Sequence, residues 1–214
     1  MCMSNCLNDF ITMYGDVVRL QFPIWSCGPI TNILLNHPGW QIYQPQKPGY
    51  NRFGLSVTSL DGGFSGEPDL YSLRDYYKDT GKSFTEVHFK RRTNIVDFIP
   101  ELNPLLDFFE PGTGRCHFLR LDKGGFFPPH RDNGAVIQAE SFRILVPINN
   151  FNINDMKWIQ EEQILNLTLG QVYFINTSKL HSLFSFVDNC IMLVLNVVWT
   201  PQVIANMARK VDGF

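Results

Sequence analysis

The sequence predicts a mainly β protein with flanking helices, whose core is a double-sheet barrel of the jelly-roll or cupin type. From Cys116 onward, short segments rich in β-branched, aromatic and aliphatic residues alternate with turn signals. No helix of ordinary length fits between these segments, which argues against repeated strand–helix–strand units. Short antiparallel strands joined by turns are typical of double-sheet barrels.

Five segments of the C-terminal half are predicted strands. Turn signals separate them, namely LDKGG, DNGA, INNFNIND and TLGQ. Ahead of His130, two glycines and two prolines (Gly124, Gly125, Pro128 and Pro129) predict a restricted turn that fixes the backbone. The predicted strands are CHFLRL, FRILVPI, QILNLTL, QVYFIN and CIMLVLNVVW.

The N-terminal half is predicted to flank the barrel. Turn signals are frequent here, RFGLSVTSL suits strands, and SLRDYYKD indicates a short helix with Ser72 as its N-cap. NIVDFIPELNPLLDFF has helical spacing interrupted by Pro100 and Pro104, which predicts two short helices. We therefore expect a single domain over 1–214, with flanking elements over 1–113 and the barrel with its functional site over 114–201.

Charge and composition exclude some classes of partner. The net charge of −2 provides no basic field for nucleic acid or anionic lipid, and the basic run HFKRRT is short enough to be a solvated surface. No apolar run approaches the roughly 20 residues that span a bilayer. We expect no nucleic-acid partner and no membrane partner.

Cysteine usage predicts a reduced, cytoplasmic protein. The five cysteines are odd in number, scattered, and form no C-x-x-C pair. The N-terminal MCMSNCLNDF lacks the charged and apolar segments of a secretory signal.

Two histidines and one aspartate form a candidate metal site. His130 and Asp132 lie in FPPHRDNG, and His181 follows about fifty residues later in NTSKLHSLF. Alternate residues of a strand point the same way, so the first two side chains can converge while Arg131 points away. Two imidazoles and one carboxylate form the facial triad of non-haem Fe(II) oxygenases, which leaves positions open for a cosubstrate and O₂.

The alternative interpretation is a polar loop and an unrelated histidine, because H-x-D alone is a weak signal. Arg143 favours the metal site: it is the only charge in the apolar segment FRILVPI. A guanidinium among apolar neighbours needs a carboxylate partner, and arginine is well suited to bind one. His37, His88 and His117 have no such context and are interpreted as structural or surface residues.

Four stretches together resemble the aspartyl/asparaginyl β-hydroxylase family of Fe(II)/2-oxoglutarate-dependent oxygenases. RCHFLRLDKGGFFPPHRDN resembles the family's approach strand, glycine turn and H-x-D, and FRILVPINN resembles its R-x-H-x-P strand. LTLGQVYFINTSKLHSLF resembles the strand before the distal histidine, and LVLNVVWTP resembles the closing strand. Their order and spacing agree over about 114–201.

The resemblance implies a double-stranded β-helix that binds Fe(II) through His130, Asp132 and His181 and uses 2-oxoglutarate and O₂. The implied reaction is hydroxylation of an aspartyl or asparaginyl side chain in a peptide or protein, or of a free amino acid such as proline. Loops of the N-terminal half are expected to build the substrate pocket.

The chain departs from the family at two positions. The family's arginine for the distal carboxylate of 2-oxoglutarate corresponds to Ile191, and the second basic residue of the R-x-H strand corresponds to Leu145. Arg143 is the first candidate to replace that arginine, and Arg120 is the second. The missing arginine also leaves open a non-catalytic, cupin-like module that binds a metal or a small ligand.

Overall fold

Two antiparallel β-sheets dominate the computed structural model of the chain, which describes residues 6–64, 67–132 and 141–211. Short helices and strands make up the N-terminal half. In chain order these are α1 (Cys6–Tyr14), β1 (Val17–Leu20), α2 (Cys27–Leu35), β2 (Gln41–Ile42), β3 (Arg52–Ser56), β4 (Thr58–Ser59), α3 (Leu73–Thr80), β5 (Arg91–Arg92), α4 (Ile95–Phe98) and α5 (Leu102–Phe108).

Eight strands and one final helix follow. They are β6 (Thr113–Leu121), β7 (Phe126–His130), β8 (Ser141–Asn149), β9 (Met156–Gln160), β10 (Gln163–Leu165), β11 (Val172–Ile175), β12 (His181–Ser185), β13 (Cys190–Val198) and α6 (Pro201–Ala208). No helix interrupts the strands within the described part of this region, as the sequence predicts.

The eight strands divide between two sheets. The larger sheet has the order β1-β11-β8-β13-β6-β3-β2, and the smaller one has the order β10-β9-β12-β7. Because the chain crosses repeatedly between the sheets, these strands form a double-stranded β-helix of the jelly-roll type. The predicted fold class is confirmed. Strands β1, β2 and β3 from the N-terminal half extend the larger sheet at both edges.

Each long strand of the larger sheet contributes side chains to two hydrophobic cores, one on each face of the sheet. Along β13, Ile191, Leu193 and Leu195 pack in a cluster with the helices, whereas Cys190 and Met192 pack in a second cluster between the sheets. This alternation follows from the two-residue period of side chains along a strand. Side chains from α1, α2, α4, α5 and α6 cover the outer face, so the inner face is left to form the barrel interior.

Four of the five predicted strands match β6, β8, β11 and β13, whereas QILNLTL is a strand only as far as Leu165. Three strands of the smaller sheet, β7, β9 and β12, were not predicted. Their short sequences FFPPH, MKWIQ and HSLFS lack a run of β-branched residues, and β7 contains two prolines. Of the predicted turn DNGA, only Asp132 lies among the described residues.

The turn before His130 is smaller than predicted. It spans residues 122–125, where Gly124 has a φ of +77° and a Cβ at Gly125 would lie 2.6 Å from the Asn51 carbonyl oxygen. Both positions therefore need glycine. Pro128 and Pro129 lie instead within β7. That strand is an edge of the smaller sheet, where a missing N–H donor is tolerated.

The predicted short helices are present. SLRDYYKD contains α3, with Ser72 at the N-cap position but without a side-chain capping bond, and the proline-interrupted segment contains α4 and α5. No helix in the described ranges is long and apolar enough to cross a membrane.

The four described cysteines are free thiols, and we expect mass spectrometry of protein purified under mild conditions to find no disulfide. Native alkylation should spare Cys116 and Cys190, which are buried and whose pKa values are raised by burial. Half-buried Cys6 and Cys27 should react first. A native disulfide, or rapid labelling of Cys116, would contradict this prediction.

Candidate metal centre and cavity

His130, Asp132 and His181 come together at one end of the smaller sheet. His130 ends β7, His181 begins β12, and the two residues are direct partners across these strands. Asp132 follows β7 by two residues, and its backbone N–H donates to the Thr177 carbonyl oxygen at 2.9 Å. One potential ligand atom from each of the three side chains lies within 4.8 Å of the others.

Both imidazoles are held in the tautomer that a metal requires. Nδ1 of His130 lies 2.7 Å from the Pro128 carbonyl oxygen, and Nδ1 of His181 lies 3.0 Å from the Lys179 carbonyl oxygen. A carbonyl oxygen only accepts, so each Nδ1 carries the proton. Nε2 is then the ring nitrogen left for a metal, and the backbone carbonyls orient both rings as the outer hydrogen-bond partners of metal-binding histidines do.

The carboxylate of Asp132 is held in its charged form. Burial alone would raise its pKa, but Arg143 and the hydrogen bond with His130 outweigh burial, and the pKa lies well below its usual range. Nη2 of Arg143 lies 3.3 Å from Asp132 Oδ2, and Nε2 of His130 lies 3.4 Å from Asp132 Oδ1. The group is therefore an ionised ligand at neutral pH.

The three side chains line a cavity of about 350 Å³ between the sheets, open at one end. The chain as a whole has a net charge of −2, yet the lining contains more basic than acidic residues. Such a lining attracts anionic ligands. The basic residues are Lys47, Arg52, Arg74, Arg115, Arg131 and Arg143, and the acidic residues are Asp75 and Asp132.

The candidates for cosubstrate binding occupy different faces of the larger sheet. Arg143 lines the cavity and is only 8% exposed. Arg120 points to the outer face, where its guanidinium lies 4.4 Å from the Phe53 ring and 5.0 Å from the Trp40 ring. It pairs across the strands with Ile191, which faces outward too.

The position assigned to the family arginine therefore does not face the cavity. The residues of β13 that line the cavity are Met192, Val194 and Asn196, and none of them is basic. Counting residues from the distal histidine assigned the family arginine to Ile191. Side chains alternate between the two faces of β13, however, and it is the neighbouring Met192 that points inward.

A buried ion pair beside the site was missed by the sequence analysis. Nη2 of Arg115 lies 2.8 Å from Glu86 Oε1, and Nδ2 of Asn196 donates to Glu86 Oε2 at 3.1 Å. Glu86 is completely buried. Arg115 and Asn196 could have been found from strand alternation, since each is a polar residue on the inward face of an apolar strand. Glu86 carries no local signal.

His117 and Trp158 also line the cavity. His117, interpreted from the sequence as structural or surface, is buried and stacks on Tyr43 at 5.5 Å, and its Nδ1 has no hydrogen-bond partner among the residues that the structure describes. Burial lowers the pKa of His117 to about 3, so the ring is neutral. Nε1 of Trp158 likewise has no partner among the described residues.

Replacing Glu86 with glutamine should destabilise the fold by about 3 kcal/mol, because breaking a buried pair leaves Arg115 uncompensated. Urea unfolding would measure this change. The matched control is Asp107→Asn, which removes the carboxylate of the exposed pair with Arg92 and should change stability by less than about 1 kcal/mol. Equal effects of the two substitutions would contradict the structural importance of the buried pair.

The residues present fit both an Fe(II) ion and an acidic cosubstrate. Two imidazole nitrogens and one ionised carboxylate are the donor set of the non-haem iron triad. Beside them, Arg52 Nε and Trp158 Nε1 are buried hydrogen-bond donors without a partner among the described residues. Unpaired donors of this kind favour a ligand that brings acceptor oxygens.

Comparison with known proteins gives no sequence match: neither a family model nor a curated protein matches the chain. Among solved structures, the chain is similar to an oxidoreductase of the 2OG-Fe(II) oxygenase family from Burkholderia pseudomallei. The identity is 12%, the coverage is 92% of this chain and 89% of that chain, and the TM-score is 0.48.

Other similar structures are smaller. KdgF from a Halomonas species is 12% identical, with coverage of 42% of this chain and 72% of that chain and a TM-score of 0.32. A cupin domain from Bordetella pertussis Tohama I is 16% identical, with coverage of 39% and 79% and a TM-score of 0.30.

Proposed function

We propose that this protein is an Fe(II)/2-oxoglutarate-dependent dioxygenase that hydroxylates an amino acid or an amino-acid side chain. One observation carries the proposal: His130, Asp132 and His181 converge in the lining of a basic cavity, with both imidazole rings oriented by backbone carbonyls. A structural histidine pair would not need this matched tautomer next to an ionised carboxylate.

Bound iron would allow O₂ to act as the oxidant, with one oxygen atom entering succinate as 2-oxoglutarate loses CO₂ and the other entering a C–H bond of the substrate. The chain itself provides binding, orientation and exclusion of water. His130, Asp132 and His181 would hold the metal. Arg143 maintains the charge of Asp132 and is placed to bind an acidic group of the cosubstrate.

The lining and the motifs support the proposed substrate class. The cavity combines basic side chains with aromatic rings such as Tyr43 and Phe127, a surface that suits a small polar molecule with an acidic group. The resemblance to aspartyl/asparaginyl β-hydroxylases supports a substrate of the Asp, Asn or Pro type, either free or within a peptide.

The proposal is tested by anaerobic titration with Fe(II) and 2-oxoglutarate, followed by exposure to O₂. We expect a weak visible charge-transfer band when both are bound, and formation of succinate after O₂ is added. The band requires chelation of the metal, so it reports the complex without any knowledge of the substrate. Absence of both signals at saturating Fe(II) would sink the proposal.

A non-catalytic binding module is the second candidate, and the inward face of β13 favours it, because Met192, Val194 and Asn196 supply no cation for a dicarboxylate. Such a module would bind a metal or a small ligand within the same barrel. Stoichiometric metal binding without the charge-transfer band and without succinate would identify it.

A further inference from the structure

Arg52 differs from the other buried arginines of the described residues. Arg115 forms an ion pair with Glu86, and Arg143 forms one with Asp132. Arg52 is 3% exposed, yet no carboxylate of the described residues pairs with it. A buried guanidinium without a counter-ion is costly, so some benefit must offset it.

The surroundings of Arg52 organise the guanidinium without neutralising it. Its Cζ lies 4.0 Å from the Phe127 ring centroid and 4.7 Å from that of Tyr50. Nη2 donates to Gln44 Oε1 at 2.7 Å, whereas Nε has no acceptor within the described part of the chain. Aromatic rings and one amide oxygen orient the cation and leave its full charge for a ligand.

Arg52 also lies close to the metal ligands. It lines the same cavity as His130, and the Phe127 ring that it contacts lies 6.1 Å from the His130 ring, with an interplanar angle of 24°. An anion bound at Arg52 would therefore belong to a molecule whose other end can reach the metal centre.

We propose that Arg52 is a carboxylate-binding residue of the cavity, held by Tyr50, Phe127 and Gln44. The binding site stands on its own geometry, whereas its use in a reaction rests on the proposed oxygenase function. The carboxylate has two possible sources, the distal end of 2-oxoglutarate or an acidic group of the substrate. Both present the same chemistry to a guanidinium, which binds either in a bidentate manner.

The first experiment needs no metal. Metal-free protein in chelator is titrated with glutarate, a dicarboxylate that lacks the keto acid, and binding is followed by calorimetry and by tryptophan fluorescence, since Trp158 lines the cavity. We expect saturable binding to the wild type and a loss of about tenfold or more in Arg52→Gln, as for a lost hydrogen-bonded charge. Arg52→Lys, which keeps the charge, should lose less.

The matched control is Arg120→Gln, which removes a guanidinium that also lies over two aromatic rings, but on the outer face. It should bind glutarate like the wild type. Without ligand, Arg52→Gln should melt at the same temperature as the wild type or higher, because it relieves an unpaired buried charge. A much lower melting temperature would assign Arg52 to structure and overturn the proposal. Unchanged glutarate binding in Arg52→Gln, or no saturable binding to the wild type, would also overturn it.

A second experiment distinguishes the two sources in anaerobic, Fe(II)-loaded protein. If Arg52 binds the distal carboxylate of the cosubstrate, Arg52→Gln should weaken 2-oxoglutarate about tenfold or more and leave 2-oxobutanoate, which lacks that carboxylate, unchanged. If Arg52 binds the substrate, 2-oxoglutarate affinity should not change, and glutarate should still bind the 2-oxoglutarate-saturated wild type. Failure to load Fe(II) would refute the proposed function, while the metal-free titration would still decide the role of Arg52.

Discussion

His130→Ala and His181→Ala are each expected to abolish stoichiometric Fe(II) binding. Each removes one of three protein ligands, and water would have to replace an Nε2 lone pair that a backbone carbonyl already orients. Loss of an outer partner of a metal ligand alone costs about 10–100-fold in affinity, so loss of the ligand itself should cost more. Asp132→Ala should weaken binding strongly but leave some residual binding.

Anaerobic dialysis with an iron assay measures the stoichiometry, and titration calorimetry with Mn(II) gives the affinity. The matched control is His37→Asn, because Asn can replace His37 Nδ1 as the acceptor for the Gly39 N–H. It should bind Fe(II) like the wild type. If all three ligand variants also retain wild-type binding, the metal site is wrong.

Arg143→Leu is expected to raise the apparent constant for 2-oxoglutarate by two or more orders of magnitude. The side chain is buried in the cavity, and hydrogen bonds to charged groups contribute about 1.5–3 kcal/mol each. Two such bonds to one carboxylate would account for the effect. Arg143 is also an outer partner of Asp132, so its loss should weaken iron binding, and the constant for 2-oxoglutarate is therefore measured at saturating Fe(II).

Succinate formation without added substrate separates the possible roles of Arg143. A large rise in the 2-oxoglutarate requirement supports cosubstrate binding, and Arg120→Leu, on the outer face, should leave that requirement unchanged. Unchanged succinate formation with loss of coupled hydroxylation would assign Arg143 to the substrate carboxylate. One guanidinium cannot bind the cosubstrate carboxylate and a substrate carboxylate at once. This result and the result for Arg52 together therefore show which arginine binds which carboxylate.

Local sequence patterns predicted much of the barrel and brought together the three residues of the candidate metal site. Strand alternation and the spacing of H-x-D are short-range signals, and a single charge in an apolar strand identified Arg143. Three strands of the smaller sheet, β7, β9 and β12, were not predicted, since they are short and carry prolines or polar residues. Arg52 and Glu86 were not predicted either. The position of Arg52 depends on the pairing of β3 with β6, more than sixty residues away in the sequence, and that of Glu86 depends on a buried ion pair. Neither contact leaves a local sequence pattern.

One side of the cavity comes from a short segment at the start of β3, which pairs with β6, and this segment could be replaced as a unit. A ten-residue stretch, 43–52, contributes Tyr43, Gln44, Tyr50 and Arg52 to the lining. The candidate metal ligands lie much later in the sequence, after residue 129. A graft of this stretch could therefore alter which ligands are selected while His130, Asp132 and His181 remain in place. The two groups of residues are encoded in separate segments of the gene, so mutation can change one without disturbing the other.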